Sequence, residues 1–171
     1  MRKIMKKSNK EKFSEQKTNV MRLLEQAKIP YKNYSYADTD AVKGGDVAKA
    51  MGQKPEQVFK TLVTIGKSGQ HYVFVIPVNC ELNLKKAAKA VGDKSVEMIK
   101  QKELLPLTGY VHGGCSPIGM KKPFPTVINS TAENFDTIIF SAGKIGYQVE
   151  VAPAALAKII PLKFAEICVQ S

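Results

Sequence analysis

Cysteine and histidine are scarce in this sequence and tryptophan is absent: its 171 residues include three cysteines and two histidines. Cys80, Cys115 and Cys168 are far apart, odd in number and not arranged in CxxC pairs. This pattern argues against a disulfide framework and favours a reducing compartment. The HxxC spacing of His112 and Cys115 supplies only two of the four ligands that a structural zinc site needs. We therefore predict that the protein uses neither a metal nor another cofactor.

Long apolar runs are also missing. No stretch approaches the ~18–20 apolar residues that cross a bilayer, and the basic N-terminus lacks the apolar segment of a secretory signal. We therefore predict a cytoplasmic protein without a membrane partner. Hydrophobic residues make up 44% of the chain and charged residues 24%, which are the proportions of an ordinary globular protein. A chain of this length has room for one such domain.

Acidic residues are outnumbered: 15 Asp and Glu stand against 26 Lys and Arg, for a formal net charge of +11. Met1–Lys17 contains seven basic and two acidic residues, so it contributes +5 and the rest of the chain +6. A basic globular body suits a polyanionic partner such as RNA. Surplus lysine also keeps proteins soluble, and charge alone does not separate these interpretations. We predict that residues 1–16 form a basic, flexible extension and residues 17–171 one folded domain.

Alternating apolar patterns and turn signals predict the fold class. Val58–Ile65 and Tyr72–Val78 are apolar and β-branched, and the glycine-containing turn between them predicts a hairpin. Asn83 and Gly92 predict the start and end of a short helix, and Pro106 predicts the end of another. Further strands are expected at 96–98, 126–129, 137–141, 147–151 and 164–169, and further helices at 17–28, 46–51 and 153–160. Together they predict a single α+β domain, with a mixed, mostly antiparallel sheet curled toward a barrel and surrounded by short helices.

Lys60 stands alone as a charged residue within the apolar strand VFKTLV. Such a lysine usually points to solvent, because burial of an unpaired ammonium is costly. In a strand, however, Lys60 shares a face with Val58 and Leu62, which is unusual for a solvent face. Lysines on apolar faces often bind an anion or a polarised carbonyl in a pocket, so both interpretations stay open.

The loop from Gly113 to Gly119 is rich in glycine, with Pro117 at its bend. Glycines let backbone N–H groups approach a ligand, so the loop could cradle a carbonyl oxygen, an oxyanion or a phosphate. The alternative is a tight structural turn. Cys115 beside His112 also suggests a thiol nucleophile, which requires a hydrogen-bonded base; otherwise Cys115 is a small residue in a tight loop.

Lys85, Lys86 and Lys89 lie along one edge of the predicted helix. They could contact phosphates or simply be solvated.

Several stretches of the sequence resemble the YbaK/EbsC family of aminoacyl-tRNA deacylases and occur in the same order as in that family. The family is related to the editing domain of bacterial prolyl-tRNA synthetases. The matching stretches are VFKTLV (58–63), NLKKAAKAVG (83–92), TGYVHGGCSPIGMKK (108–122), TVINSTAENFDTI (126–138) and SAGKIGYQVEVAP (141–153). The resemblance extends from about Lys17 to Cys168 and is strongest to the Cys-tRNA(Pro)/Cys-tRNA(Cys) deacylase type.

The resemblance implies roles for particular residues. Lys60 matches the family's essential lysine, which is expected to engage the 3′-terminal adenosine or its phosphate. The loop residues that match the substrate-binding loop are Gly113, Gly114 and Ser116, expected to be catalytic with Lys60, and Pro117 and Gly119, expected to bind substrate. Tyr36, Thr61 and Ser141 match positions that line the pocket in relatives. Cys115 departs from the aliphatic residue that relatives often have, which puts the amino-acid specificity in question.

The implied activity is trans-editing of mischarged tRNA, with Cys-tRNA(Pro) as the leading substrate. In the family's substrate-assisted reaction, the thiol of the cysteinyl group attacks its own ester carbonyl and releases tRNA and a cyclic thiolactone. The alternatives are a deacylase for Ala-tRNA(Pro) or another small residue, a noncatalytic module that binds tRNA or a synthetase, and a thiol hydrolase that uses Cys115 and His112. The implied partners are aminoacyl-tRNA, above all tRNA(Pro), and prolyl-tRNA synthetase, with no role for DNA.

Overall fold

The computed structural model describes residues 17–37 and 44–169; the basic extension predicted for residues 1–16 lies outside them. The α-helices are Asn19–Gln26 (α1), Gly44–Ala50 (α2), Leu84–Val91 (α3) and Gln101–Thr108 (α4). The strands are Tyr31–Ser35 (β1), Phe59–Gly66 (β2), His71–Pro77 (β3), Val96–Met98 (β4), Thr126–Asn129 (β5), Ile138–Ser141 (β6), Tyr147–Val151 (β7) and Leu162–Ala165 (β8). In this part of the chain, 3-10 helices span Ser130–Asn134 and Pro153–Lys158. Within the described ranges, no helix combines the length and apolar content that a bilayer crossing requires.

The strands form two sheets. The larger sheet has the order β4-β2-β3-β5-β8, antiparallel from β4 to β3 and parallel from β3 to β8. The smaller sheet, β1-β7-β6, is antiparallel throughout. This mixed, mostly antiparallel arrangement with short helices confirms the predicted α+β class.

The sequence predicts one sheet curled toward a barrel. Over the described residues, the structure has two sheets that meet, and they do not close into a barrel. β4 is only three residues long and pairs with the end of β2 from Thr64 to Gly66. β4 therefore leaves the first residues of β2 uncovered, and β6 lies beside them. Val58, just before β2, forms a parallel bridge with Ile139 of β6. The N–H of Ile139 donates to the Gln57 carbonyl at 3.0 Å. The junction of the sheets thus lies beside the first residues of β2.

The β2–β3 hairpin has the predicted position, and its turn fixes the register. The N–H of Gly66 donates to the Gln70 carbonyl at 2.8 Å, and Gly69 has a φ of +91°, which favours glycine. Asp93 supports the turn by accepting a hydrogen bond of 2.5 Å from the Ser68 hydroxyl. In this register Lys60 lies opposite Ile76.

The predicted helix caps are confirmed for α3. The Asn83 side chain accepts a hydrogen bond from the backbone N–H of Lys86 at 3.1 Å, and Gly92 has the left-handed conformation that ends the helix. The predicted stop at Pro106 is wrong, because α4 continues to Thr108, and Gly109 is its C-cap. Pro106 is exposed, so water can satisfy the helical carbonyl that lacks its usual N–H donor.

Apolar clusters cover both faces of the hairpin. Phe59 and Val63 pack into the main core with α1 and the smaller sheet. Phe74 and Ile76 pack into a second cluster together with residues of α3. Leu62 also packs against this second cluster. Because neither face is a free solvent surface, the ammonium group of a lysine in β2 requires a cavity or an opening beside the sheet.

Candidate active site

A cavity of about 940 Å³ lies beside β2, where the two sheets meet. This volume is near the upper end of the range of about 300–1,000 Å³ that is usual for small-molecule sites. Most lining side chains are apolar, including Val47, Val58, Phe59, Met98 and Phe140. Among the predicted site residues, those that line the cavity are Tyr36, Lys60, Thr61, Gly113 and Ser141. The fold therefore brings together residues from four separate parts of the chain.

Lys60 is the only lysine or arginine among the described residues that line the cavity, and Asp46 is the only carboxylate there. Lys60 is half-buried. Within the described part of the chain, Lys60 has no carboxylate within ion-pair distance. A cation held in a largely apolar cavity without a carboxylate partner favours binding of an anionic or strongly polarised group.

Thr61 adds a second unsatisfied group to the cavity. Its Oγ1 atom is buried and has no hydrogen-bond partner among the described residues. A buried hydroxyl without a partner costs free energy, and a ligand in the cavity can supply that partner. By contrast, the hydroxyl of Thr64, further along the same strand, donates to the Tyr72 carbonyl at 3.1 Å.

The glycine loop contacts the cavity through only part of its length. Gly113 lines the cavity and has a φ of +86°, and Cys115 also lines it. No acceptor among the described residues engages the backbone N–H of Gly113 or Cys115, so these two donors are available to a ligand. The N–H of Gly114 is already used, because it donates to the Val111 carbonyl at 3.0 Å.

Four predicted site residues do not line the cavity: Gly114, Ser116, Pro117 and Gly119. Gly114 packs against the Ile145 backbone, because a Cβ at Gly114 would be 3.1 Å from the Ile145 nitrogen. Ser116 is fully buried, and its hydroxyl accepts a hydrogen bond from the N–H of Ile118 at 3.3 Å. These residues contribute to the packing and hydrogen bonding of the loop. Their contact with substrate stays a prediction.

Tyr110 supports the loop from inside the protein, and the sequence analysis missed it. Its hydroxyl donates to the Ile118 carbonyl. Gly119 and Gly143 leave room for the ring, because a Cβ at either position would be within 3.0 Å of a Tyr110 atom. Burial raises the pKa of Tyr110 to about 12. Its place within the matching stretch TGYVHGGCSPIGMKK was the available signal.

The structure does not favour the proposed thiol nucleophile. Burial raises the pKa of Cys115 to about 12, so its thiol is protonated at neutral pH. No hydrogen bond within the described ranges joins it to His112, which also lines the cavity but is exposed. No cluster of three or more potential metal ligands occurs in the part of the chain that the structure describes.

Other polar residues that line the cavity are held by hydrogen bonds within the protein. The Ser141 hydroxyl accepts a hydrogen bond from the Gly143 N–H at 3.1 Å, and the N–H of the buried Tyr36 donates to the Gly146 carbonyl at 2.8 Å. Gln148 was not singled out from the sequence. It lines the cavity, and its Oε1 accepts a hydrogen bond of 2.9 Å from Gln53.

These features define an α+β domain with a largely apolar cavity. Among the described residues, the cavity holds one lysine without a carboxylate partner and backbone donors without an acceptor, and the thiol that lines it is buried and protonated. The chain belongs to the aminoacyl-tRNA editing domain family, whose model matches residues 39–159. This membership confirms the resemblance described from the sequence and the predicted class of editing enzyme.

Relatives and solved structures agree with this membership. A protein of Enterococcus faecalis, named as a candidate Cys-tRNA(Pro)/Cys-tRNA(Cys) deacylase, EbsC, is 50% identical over 157 residues, which are 91% of this chain and 96% of that protein. A proline–tRNA ligase of Shouchella clausii is 28% identical over 118 residues, 68% of this chain but 20% of the ligase. The crystal structure of a candidate trans-editing enzyme for prolyl tRNA synthetase has a TM-score of 0.73 at 23% identity, covering 86% of this chain and 92% of that one. The crystal structure of hypothetical protein APE2540 has a TM-score of 0.78 at 19% identity, covering 88% of this chain and 99% of that one. At these identities the structures support the fold alone.

Proposed function

We propose that the protein is a trans-acting deacylase that removes cysteine from mischarged Cys-tRNA(Pro). The single observation that carries the proposal is the position of Lys60, a cation without a carboxylate partner among the described residues, in a cavity of the editing-domain fold. The name of the half-identical Enterococcus relative supports the choice of cysteine.

Lys60 would hold the end of the tRNA. The substrate's 3′-terminal nucleotide is anionic at its phosphate, and the ester lies one sugar away from that phosphate. Anchoring the nucleotide at Lys60 would place the ester carbonyl deeper in the cavity, near the loop. Positioning of this kind can supply a large part of a catalytic effect when the reacting groups belong to one substrate.

The reaction itself would be carried out by the substrate. The cysteinyl sulfur attacks the ester carbonyl, a carbon–sulfur bond forms and the bond to the ribose oxygen breaks. The thiol proton is finally transferred to the ribose oxygen, so the products are tRNA with a free hydroxyl and a cyclic thiolactone. This route requires no enzyme nucleophile, in agreement with the protonated thiol of Cys115.

The cavity offers groups for the charge and orientation of that step. The free N–H groups of Gly113 and Cys115 would donate to the carbonyl oxygen as it becomes negative. The unpaired Thr61 hydroxyl would hydrogen-bond the substrate and fix its orientation. We propose these contacts as the roles of the loop and of β2.

Transient association with prolyl-tRNA synthetase would bring the substrate to the protein. The proline–tRNA ligases that match this chain are much longer, and the match covers 20% or 19% of their length. A deacylase that acts in trans would depend on the synthetase, or on tRNA(Pro) leaving it, for selection of the tRNA.

The test is deacylation of four purified substrates: Cys-tRNA(Pro), Ser-tRNA(Pro), Ala-tRNA(Pro) and Pro-tRNA(Pro). Serine is close in size to cysteine but has a hydroxyl in place of the thiol, so it separates the substrate-assisted step from simple fit. We expect rapid loss of cysteine only. Preference for alanine would retain the deacylase class and overturn the substrate. Tight tRNA binding without cleavage of any substrate would identify a noncatalytic module.

A further inference from the structure

The segment after β3 and the last described segment of the chain lie side by side. Leu82 forms an antiparallel bridge with Cys168. Backbone hydrogen bonds of 2.8 and 2.9 Å join the flanking residues on both sides, from 81–83 to 167–169. This ribbon holds Cys168 close to Cys80, although the two cysteines are far apart in the sequence.

The two thiols share one apolar environment. Cys168 belongs to the second apolar cluster with 7% of its surface exposed, and the half-buried Cys80 packs against the same cluster. The side chains interact with each other, and the Cys80 thiol also donates toward Asn79 Oδ1 at 3.7 Å. Both cysteines are free thiols. Cys115 belongs instead to the glycine loop and the main core, so it is not part of this pair.

The environment makes the two sulfurs unequal. Burial, with a further contribution from Cys80, raises the pKa of Cys168 to about 12, and the positive charges of Lys60 and Lys86 oppose this shift. Cys168 therefore stays protonated in the resting protein. Cys80 is the more exposed of the two residues, so we expect a small oxidant from solvent to reach it first.

We propose that Cys80 and Cys168 are a redox modification site that forms a reversible intrachain disulfide on exposure to a peroxide. The Cys80 sulfur attacks one peroxide oxygen, which gives a sulfenic acid and one water. The Cys168 sulfur then displaces the sulfenic oxygen, which leaves as a second water with the Cys168 proton. Two thiols and one hydrogen peroxide thus give one disulfide and two waters. A dithiol such as reduced thioredoxin or dithiothreitol restores both thiols.

The disulfide would connect the end of the described chain to the segment that follows β3. That segment begins directly after Pro77, which lies opposite Phe59, the neighbour of Lys60 in the hairpin register. Closing so long a loop stabilises a folded protein when the native geometry accepts the bond. We therefore expect the oxidised protein to unfold at a higher temperature than the reduced one.

The test uses the full chain, reduced, freed of reductant and exposed to hydrogen peroxide while folded. It is then unfolded and treated with N-ethylmaleimide, and its peptides are mapped by mass spectrometry. We expect the alkylated cysteines to fall from three to one per chain, with Cys80 and Cys168 in one linked peptide. Dithiothreitol should restore all three. The matched variants are Cys115→Ser, which should retain the link, and Cys80→Ser, which should lose it together with the rise in Tm.

Several results would overturn the proposal. Three alkylatable cysteines after peroxide treatment would show that no bond forms. Conversion of Cys80 to a sulfinic acid without a link would show that Cys168 does not reach it. A link that includes Cys115, or links only between chains, would show that the native pairing is not the one described. These outcomes do not depend on whether the protein is a deacylase.

Discussion

The hydroxyl of Tyr110 donates a hydrogen bond to the carbonyl of Ile118 and so joins the two ends of the loop that borders the cavity. The ring occupies space that Gly119 and Gly143 leave empty. The glycines of this loop therefore serve two purposes. Gly113 brings backbone donors to the cavity, and Gly119 makes room for the side chain that holds the loop in shape.

Tyr110→Phe tests this support. The substitution leaves the buried Ile118 carbonyl without its donor, and we expect a loss of about 1–3 kcal/mol in the free energy of unfolding. Deacylation should also slow, because the loop donors become less well positioned. Thermal unfolding and kcat/KM for Cys-tRNA(Pro) are the measurements. The matched control is Tyr147→Phe, since the Tyr147 hydroxyl has no hydrogen-bond partner among the described residues. Equal behaviour of the two variants would refute the role of Tyr110.

Gly119→Ala should destabilise the protein more than Gly52→Ala. Both glycines have a positive φ, +78° and +67°, so both variants incur about 1–2 kcal/mol of backbone strain. Only at Gly119 does the added Cβ collide with a side chain, 2.8 Å from the Tyr110 oxygen, whereas nothing lies within 4 Å at Gly52. Overpacking adds about 1–3 kcal/mol. Denaturant unfolding of the two variants measures the difference, and equal losses would mean that the ring simply moves aside.

Thr61→Val separates stability from function. Because the Thr61 hydroxyl has no partner among the described residues, its removal should leave the Tm unchanged or raise it. A substrate hydrogen bond lost at the same position should lower kcat/KM by roughly tenfold, which is about 1.4 kcal/mol. Thr64→Val is the control, because that hydroxyl is satisfied by the Tyr72 carbonyl. It should lower the Tm and spare activity, and the reverse pattern would contradict the assignment.

Local signals in the sequence were sufficient for the hairpin and for α3, because Asn83, Gly92 and the turn at Gly66 act on their immediate neighbours. For Lys60 the sequence left a solvent face and a pocket open, and the structure places the half-buried side chain in the lining of the cavity. The helix end predicted at Pro106 was wrong. Proline has no N–H, so the carbonyl four residues earlier lacks its helical donor, but at this exposed position water can hydrogen-bond that carbonyl.

Contacts between distant residues could not be derived in the same way. Nothing local to Tyr110 indicates that its hydroxyl reaches Ile118, and nothing near Cys80 indicates Cys168. The loop residues behind the cavity show the same limit, because glycine composition alone does not distinguish Gly113, which faces the cavity, from Gly114, which packs against Ile145.

Alkaline pH should weaken the fold through Cys115. Its pKa is raised from 9.0 to about 12 by burial, so above about pH 9 the unfolded chain loses a proton that the folded chain keeps. The free energy of unfolding contributed by this group is therefore complete below about pH 9 and decreases as the pH rises toward about 12. In Cys115→Ala, Tm should fall less steeply between about pH 8 and about pH 10 than in the parent. Parallel curves for Cys115→Ala and the parent would contradict the buried, protonated thiol.

Deacylation of Cys-tRNA(Pro) by Lys60→Ala tests the central claim most directly. The matched control is Lys163→Ala, which removes an exposed lysine from β8, away from the cavity. Loss of one positioned electrostatic contact costs on the order of 10²–10³ in rate. We expect a decrease of that size for Lys60→Ala with an unchanged Tm, and parent activity for Lys163→Ala. Parent activity in both variants would contradict the placement of the tRNA end at Lys60.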